Sequence, residues 1–363
     1  MPADVRLRSG HRLHGTGRVL CARAGRLNDV DVRDLVVGDW VALSYDTADA
    51  FPLAPVSLGD FSLSTTYGNQ KSIRVPEVLD EQLALLLGMY ALKGHTTRST
   101  WTIVITNSVP AVLEQAAELW RLCFGIEARV SQYGSRCGST VAASKAVVEI
   151  MSQLRCGSRA NEKRIPIGIM ESPEPVVRAF LSGLWLDAYT SVAGMARWGL
   201  CLDSPALLDD LQTLLRRLGI VTGRITKYNP KYGKSYDEVY ATGDSAKQLV
   251  RLVPFLEPDK AASAQRLLEH PVDGRHNTAD VVPLVHGSVL YSDIPRGYSG
   301  QGGAGSGVAL TWRTLCDKRT VWPSRHIVER MAEAGYRLPP DVQRVLDERL
   351  QFSPVTAVAD AEG

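Results

Sequence analysis

The sequence predicts an α+β protein whose middle holds two tandem copies of one helix–strand–helix–strand unit, set between two β-rich flanks. Three observations predict it. "LALLLGMYALKGHT" and "VRAFLSGLWLDAYTS" align with Gly88 on Gly183, an offset of 95 residues. Pro110 in "SVPAVLEQAAEL" falls on Pro205 in "DSPALLDDLQTL" at the same offset. So does "RVSQY" from Arg129 on "RITKY" from Arg224. One offset held across helix, turn and strand signals marks a repeat.

The elements follow in chain order. Residues 1–60 read as β-rich, with short apolar runs broken by Gly, Asn and Asp, and "RDLVVGDWVAL" turns tightly into a strand. The first unit covers 76–168. Its opening helix, about 81–92, is apolar nearly all round, which implies burial on every side. Ala84 and Gly88 sit four apart on one face, as Ala179 and Gly183 do in the second unit. Each pair makes a small-residue seam where another backbone can approach, and each helix is the other's natural partner. "STWTIVITN" reads as a β-branched strand, and Pro110 opens the helix "VLEQAAELWRLCFGI". The second unit, 169–275, repeats this order and ends in the hairpin "RITKYNPKYGKSYDEVYATG", turning at Asn229, Pro230 and Gly233. Residues 276–363 begin loosely, with a Gly/Ser-rich, flexible loop from Arg296 to Gly307. Short helices at about 324–334 and 340–350 follow, and then the strand-like "FSPVTAVADAEG".

Composition limits the function classes. The 363 residues suffice for two or three domains, and 45% apolar with 22% charged residues describes an ordinary soluble chain. A net charge of +2 lacks the basic excess of a dedicated nucleic-acid protein. The start "MPADVRLRSG" has no apolar signal core and no run reaches the length of a membrane span, so a cytoplasmic protein without membrane contact is expected. Cys21, Cys123, Cys137, Cys156, Cys201 and Cys316 show no paired CxxC spacing and read as free thiols in a reducing compartment. No metal and no cofactor are expected.

With the repeats placed, the sequence resembles the LAGLIDADG homing endonucleases of the DOD type carried inside inteins. "LLGMYALKGH" and "FLSGLWLDAYTS" are similar to the two signature helices, and "EKRIPIGIMESPEPVVRAFLSGL" resembles the Lys-x-Ile-Pro block, with Lys163, Ile165 and Pro166 in the matching places. "LLRRLGIVTGRI" and "VYATGDSAKQLVRLVPFL" resemble the segments that follow. "SGHRLHGTGRVL…DLVVGDWVAL" and "FSPVTAVADAEG" resemble pieces of the flanking Hint (protein-splicing) domain. The resemblance implies two αββαββ-like repeats in a pseudo-twofold saddle, flanked by a β-rich Hint-like remnant from both chain ends. It also implies a monomer that is an internal pseudo-dimer, and double-stranded DNA as partner.

The departures bear on activity. In the family a carboxylate five positions after each signature glycine holds divalent metal, but here those positions are Lys93 and Ala188. Asp187 is one residue early, which on an α-helix is a rotation of about 100° away from the seam. Both acids therefore read as lost. A splicing domain of the family needs a Cys or Ser nucleophile at its start, a Thr-x-x-His element and a closing His-Asn pair. Here Met1 opens the chain, Val19 stands where His would follow Thr16, and no His-Asn pair closes it. The expected protein is cleavage-dead and splicing-dead.

Two uses of such a scaffold follow from the residues: weak DNA binding, or a metal-independent small-molecule reaction in the saddle. The alternatives are a residual endonuclease using Asp187 and a decayed element without function. For chemistry the residues are Lys93, paired with Asp187, and the proton-transfer types His95 and Tyr189 just beyond the two helices. A neutral reading makes Lys93 structural and His95 a hydrogen-bonder. For nucleic-acid or ligand contact the basic set is Arg98, Arg129, Lys163, Arg224, Lys227, Lys231 and Lys234. The last three alternate with Tyr228, Tyr232 and Tyr236, which suits phosphate contact with stacking, and equally suits a solvated ribbon.

Overall fold

In the computed structural model, residues 3–45, 51–59, 61–64, 72–133, 137–193, 195–230, 233–270, 280–286, 290 and 322–360 are described. The flexible loop expected at 296–307 and Cys316 lie outside them.

Strands β1 (Ala3–Leu7), β2 (Arg12–Gly15), β3 (Arg18–Arg23), β4 (Arg26–Asp31) and β5 (Trp40–Ser44) open the chain. After the short pair β6 (Val56–Ser57) and β7 (Val78–Leu79) comes the first repeat. It runs α1 (Glu81–Lys93), β8 (Gly94–Thr97), β9 (Thr102–Asn107), α2 (Pro110–Phe124), β10 (Arg129–Tyr133), β11 (Cys137–Ala143) and α3 (Lys145–Gln153). A one-turn helix α4 (Ile167–Met170) leads to the second: α5 (Glu174–Leu184), β12 (Tyr189–Ser191), β13 (Arg197–Leu202), α6 (Pro205–Arg217), β14 (Gly223–Asn229), β15 (Lys234–Thr242) and α7 (Gly243–Leu252). The chain closes with α8 (Pro258–Glu269), α9 (Arg325–Glu333), α10 (Pro340–Asp347) and β16 (Leu350–Asp360).

Two compact units result. One comprises residues 1–46, 218–224 and 272–363, the other 47–217 and 225–271. In the first, a six-stranded sheet has the order β2-β1-β16-β5-β3-β4, so strands from both chain ends share it. β16 lies antiparallel between β1 and β5. One side of this unit's core holds Val5, Cys21, Val41 and Val355. The other gathers Val328, Met331, Val342, Val345 and Phe352 from α9, α10 and β16. Residues 47–60, expected with this flank, belong instead to the second unit. β6 pairs with β7, which runs straight into α1, and Ser62 and Ser64 hydrogen-bond to Gln153 and Glu149 of α3.

The second unit contains both repeats apart from residues 218–224. Their sheets have matching orders, β10-β11-β9-β8 and β14-β15-β13-β12. Each half ends in an amphipathic helix, α3 or α7, that the αββαββ expectation omits. Both were legible: Ser144 caps a helix with apolar residues at 146, 147, 150 and 151, and α7 places Ala246, Leu249 and Val250 three and four apart on one face. Asp80 caps α1 by accepting from the Leu83 N–H at 2.8 Å. Among the residues of α1, Leu83, Leu86, Leu87, Met89 and Tyr90 are buried, as its all-round apolar pattern requires.

The seam between α1 and α5 forms as the small residues predict. A Cβ on Gly88 would strike the Phe180 carbonyl and lie 3.1 Å from the Gly183 Cα. One on Gly183 would strike the Leu85 carbonyl and the Met89 N–H, at 2.5 Å from that nitrogen. The backbones touch, so only glycine fits at either position. Behind the seam, Trp185 and Trp198 pack with ring centroids 4.7 Å apart.

Candidate functional site

The ends of α1 and α5 meet at the seam. α1 runs to Lys93, and β8 starts on the next residue. α5 stops at Leu184 and continues as a 3-10 turn over Trp185–Asp187. A 3-10 turn rises about 2.0 Å per residue against about 1.5 Å in an α-helix, so three residues of it span what four would. Strand register shows the consequence. His95 lies opposite Val104, and Tyr189 opposite Gly199, 95 residues later. His95 and Tyr189 are thus equivalent, and so are the residues two before them, Lys93 and Asp187. This corrects the expectation that Asp187 turns away from the seam and that both acids are lost. Ala188 is the residue driven fully into the core, and Asp187 takes the place that the glycine offset assigns to it.

The Lys93 Nζ lies 2.5 Å from the Asp187 Oδ1, with the side chains 27% and 44% exposed. Around this pair stand residues that sequence reasoning missed. Lys260 donates to the Leu186 carbonyl and sits 3.0 Å from the Glu257 Oε2, while the Asn107 Nδ2 donates to the Glu257 Oε1 at 3.1 Å. Thr106 donates to the Lys93 carbonyl at 3.4 Å. Asn107 and Glu257 are 150 residues apart and no local pattern links them.

A divalent cation needs several hard oxygen donors. Here the two symmetric positions carry an ammonium and a carboxylate that pair with each other. The nearby Glu257 is held by Lys260 and Asn107. Among the described residues no cluster of three or more His, Cys, Asp or Glu could hold a metal. The donor set does not fit Mg²⁺.

His95 and Tyr189 do not join Lys93. His95 is exposed on β8 and its ring has no hydrogen-bond partner among the described residues. Tyr189 lies across Gly199, where a Cβ would come within 2.7 Å of its ring, and its hydroxyl donates to the Glu238 Oε1 at 2.8 Å. Glu238 is 1% exposed. It accepts from Arg197 at 2.5 Å and pairs through its other oxygen with Lys227. Burial alone would raise the Glu238 carboxyl, but the hydrogen bonds from Arg197, Lys227 and Tyr189 prevail and hold it below its usual range. Side chains alternate along strands, so these four groups share the sheet face turned away from Trp198, Leu200, Val239 and Ala241.

The basic set divides accordingly. Lys227 is held by Glu238, and Lys234 pairs with Asp203; both ammonium groups are raised by those hydrogen bonds. Arg224, three residues before Lys227, falls on the opposite side of β14 by alternation. Arg129 is exposed on β10 opposite Val141, without an ion-pair partner among the described residues. Arg98 donates to the Ser152 Oγ at 3.2 Å. Lys231 lies outside the described residues. Lys163 is no surface contact: it is 1% exposed, with its amine 3.2 Å from the Tyr90 ring centroid and 3.1 Å from the Gly157 carbonyl. Burial pulls its pKa down to about 7.

Comparison with known proteins finds partial similarities. The LAGLIDADG-like domain matches residues 175–254. An A-type ATP synthase component of Pyrococcus abyssi is 29% identical over 51% of this chain and 18% of its own length. The DNA polymerase of Thermococcus litoralis is 30% identical over 40% of this chain and 9% of its own. The replicative DNA helicase DnaB of Synechocystis is 27% identical over 56% and 25%. The chain thus spans a quarter or less of these relatives' lengths. Among solved structures, mesophilic variants of the homing endonuclease I-DmoI align at a TM-score of 0.37 and 15% identity, over 52% of this chain and 98% of theirs. Full-length DUF199/WhiA from Thermatoga maritima aligns at 0.38 and 16%, over 54% and 63%.

Proposed function

We propose that this chain, whose residues 175–254 match a LAGLIDADG-like domain, is an intein-type homing-endonuclease relative that binds duplex DNA without metal-dependent cleavage. The observation that carries the reading is the ion pair between Lys93 and Asp187 at the two symmetric positions of the seam. An ammonium there repels a divalent cation and occupies the one remaining carboxylate. The sheet faces that carry Arg129 on one side and Arg197 with Lys227 on the other offer the phosphate contacts.

The relatives support the intein-type part of the proposal. An ATP synthase component, a polymerase and a helicase share no catalytic task, yet each is matched over a small share of its length. An inserted module common to all three accounts for that pattern. The same proposal makes the flanking sheet inert in splicing: Val19, where the resemblance calls for His, is a β3 residue paired with Val30.

The test is fluorescence anisotropy with a labelled duplex of about 30 base pairs over a salt series, beside a cleavage assay in Mg²⁺ and Mn²⁺. Weak, salt-sensitive binding is expected, falling with a log–log slope of only about −2 to −3 because few phosphates are neutralised. No strand break is expected in either metal. A chelator-sensitive double-strand break abolished by Asp187→Asn would overturn the reading.

A further inference from the structure

Beside the first repeat the structure forms a cleft of about 350 Å³ that the DNA reading does not use. Its charged walls are Arg98, Arg155, Arg164 and Glu162, with the hydroxyls of Ser152 and Ser158 between them. We propose that this cleft binds the phosphate group of a small phosphorylated molecule.

Four observations converge on it. Arg155 holds a φ of +58°, a left-handed position at the end of α3 where glycine or asparagine is favoured. A bulky residue kept in such a conformation points to a role for its side chain. Its guanidinium is exposed and has no partner among the described residues, so its donors are free. Arg98, from the turn after β8, is steadied against the same cleft by the Ser152 Oγ. Glu162, the carboxylate of the lining, is turned to the backbone, accepting the N–H groups of Ser158 and Arg159 at 3.3 and 3.2 Å. Arg164 is held by Asp210 through two hydrogen bonds and adds no free charge. The uncommitted guanidinium of Arg155, the donors that Arg98 keeps beyond its bond to Ser152, and the Ser158 hydroxyl suit a tetrahedral dianion, because planar guanidinium forks match phosphate oxygens.

The cleft does not belong to the face proposed for DNA. Thr96, which lines it, lies opposite the fully buried Ile103, whereas His95 alternates to the other side of β8. Tyr90 of α1 and Met151 of α3 line it from the helix layer.

Thermal unfolding of the full chain, with and without millimolar pyrophosphate at fixed ionic strength, tests the proposal. Pyrophosphate should raise the wild-type Tm by roughly 2–4 °C, as a bound ligand does when well above its Kd. Arg155→Gly is the informative variant. Glycine relieves the left-handed conformation, so its Tm without ligand should rise, while the pyrophosphate shift should vanish. Arg98→Gln should lose the shift without that gain. No shift in wild type, or a shift that survives both substitutions, overturns the proposal. So does displacement of pyrophosphate by the DNA duplex, which would make the occupant a DNA phosphate. Failure of DNA binding alone leaves this outcome intact, so the two readings fail separately.

Discussion

The two repeats share a backbone and differ in what their sheets present. Position by position, Ser139 of β11 corresponds to Glu238 of β15, since they face Thr106 and Cys201, 95 residues apart. By the same register Thr102 corresponds to Arg197, and Val104 to Gly199. Among the described residues, the first half thus offers a smooth face of Thr, Ser and Val with the exposed cation Arg129. The second offers a locked cluster in which one buried carboxylate holds two cations and a phenol. Close packing at the seam fixes the helices to one solution in both halves, whereas the open sheet face leaves residue choice free. Counting lysines therefore overstates the second half: its cations are largely neutralised where they stand.

The largest expected effect breaks what the halves share. Gly183→Val forces a branched side chain into the Leu85 carbonyl and the Met89 N–H, and Gly88→Val into the Phe180 carbonyl. Either should cost more than about 3 kcal/mol, and thermal unfolding should show the whole central unit lost in both cases.

The next effect separates the halves. Glu238→Ala leaves Arg197 half-buried without its anion and should destabilise by about 2 kcal/mol, discounted because Lys227 is well exposed. Ser139→Ala should cost less than about 1 kcal/mol. Denaturant titration compares them directly. The contrast should fade in acid. The folded Glu238 carboxyl is held below its ordinary 4.5, so its contribution is complete above that pH and is lost as pH falls toward the folded value. A Glu238→Ala cost that persists unchanged at about pH 3 would show the cluster to be held by packing alone.

The smallest effect concerns charge on the two faces. Removing one phosphate contact should flatten the salt slope of DNA binding by about 0.9. Arg129→Ala should approach that value. Lys227→Ala should fall short of it, because Glu238 already neutralises this ammonium, and Glu238→Gln should steepen the slope instead. Equal slopes for Arg129→Ala and Lys227→Ala would remove the distinction between the halves.

Much of the fold was legible because it rests on local pattern. The repeat offset, the seam of Gly88 and Gly183, the capped and proline-opened helices and the hairpin after Arg224 all carry short-range signals. The site was less legible, and for a definite reason. Aligning Gly88 with Gly183 assumes that α5 stays α-helical to its end, and the 3-10 turn at Trp185–Asp187 removes one residue from that count. The error moved the equivalent of Lys93 from Asp187 to Ala188. Lys163 misled in another way: a lysine in a basic motif reads as a surface contact, and only the packing of Tyr90 and the Gly157 carbonyl around it reveals burial. The Glu238 cluster joins residues from four strands, and no spacing announces such a set.

The central proposal is that Lys93 stands where a second carboxylate would complete a metal site with Asp187. Thermal unfolding in millimolar Mn²⁺ tests it most directly, with wild type beside Lys93→Asp. Wild-type Tm should not respond to Mn²⁺. Lys93→Asp should unfold earlier without metal, because two like charges then face each other, and Mn²⁺ should restore its Tm by roughly 2–4 °C. A wild-type Tm that rises with Mn²⁺, and ceases to rise in Asp187→Asn, would contradict the account.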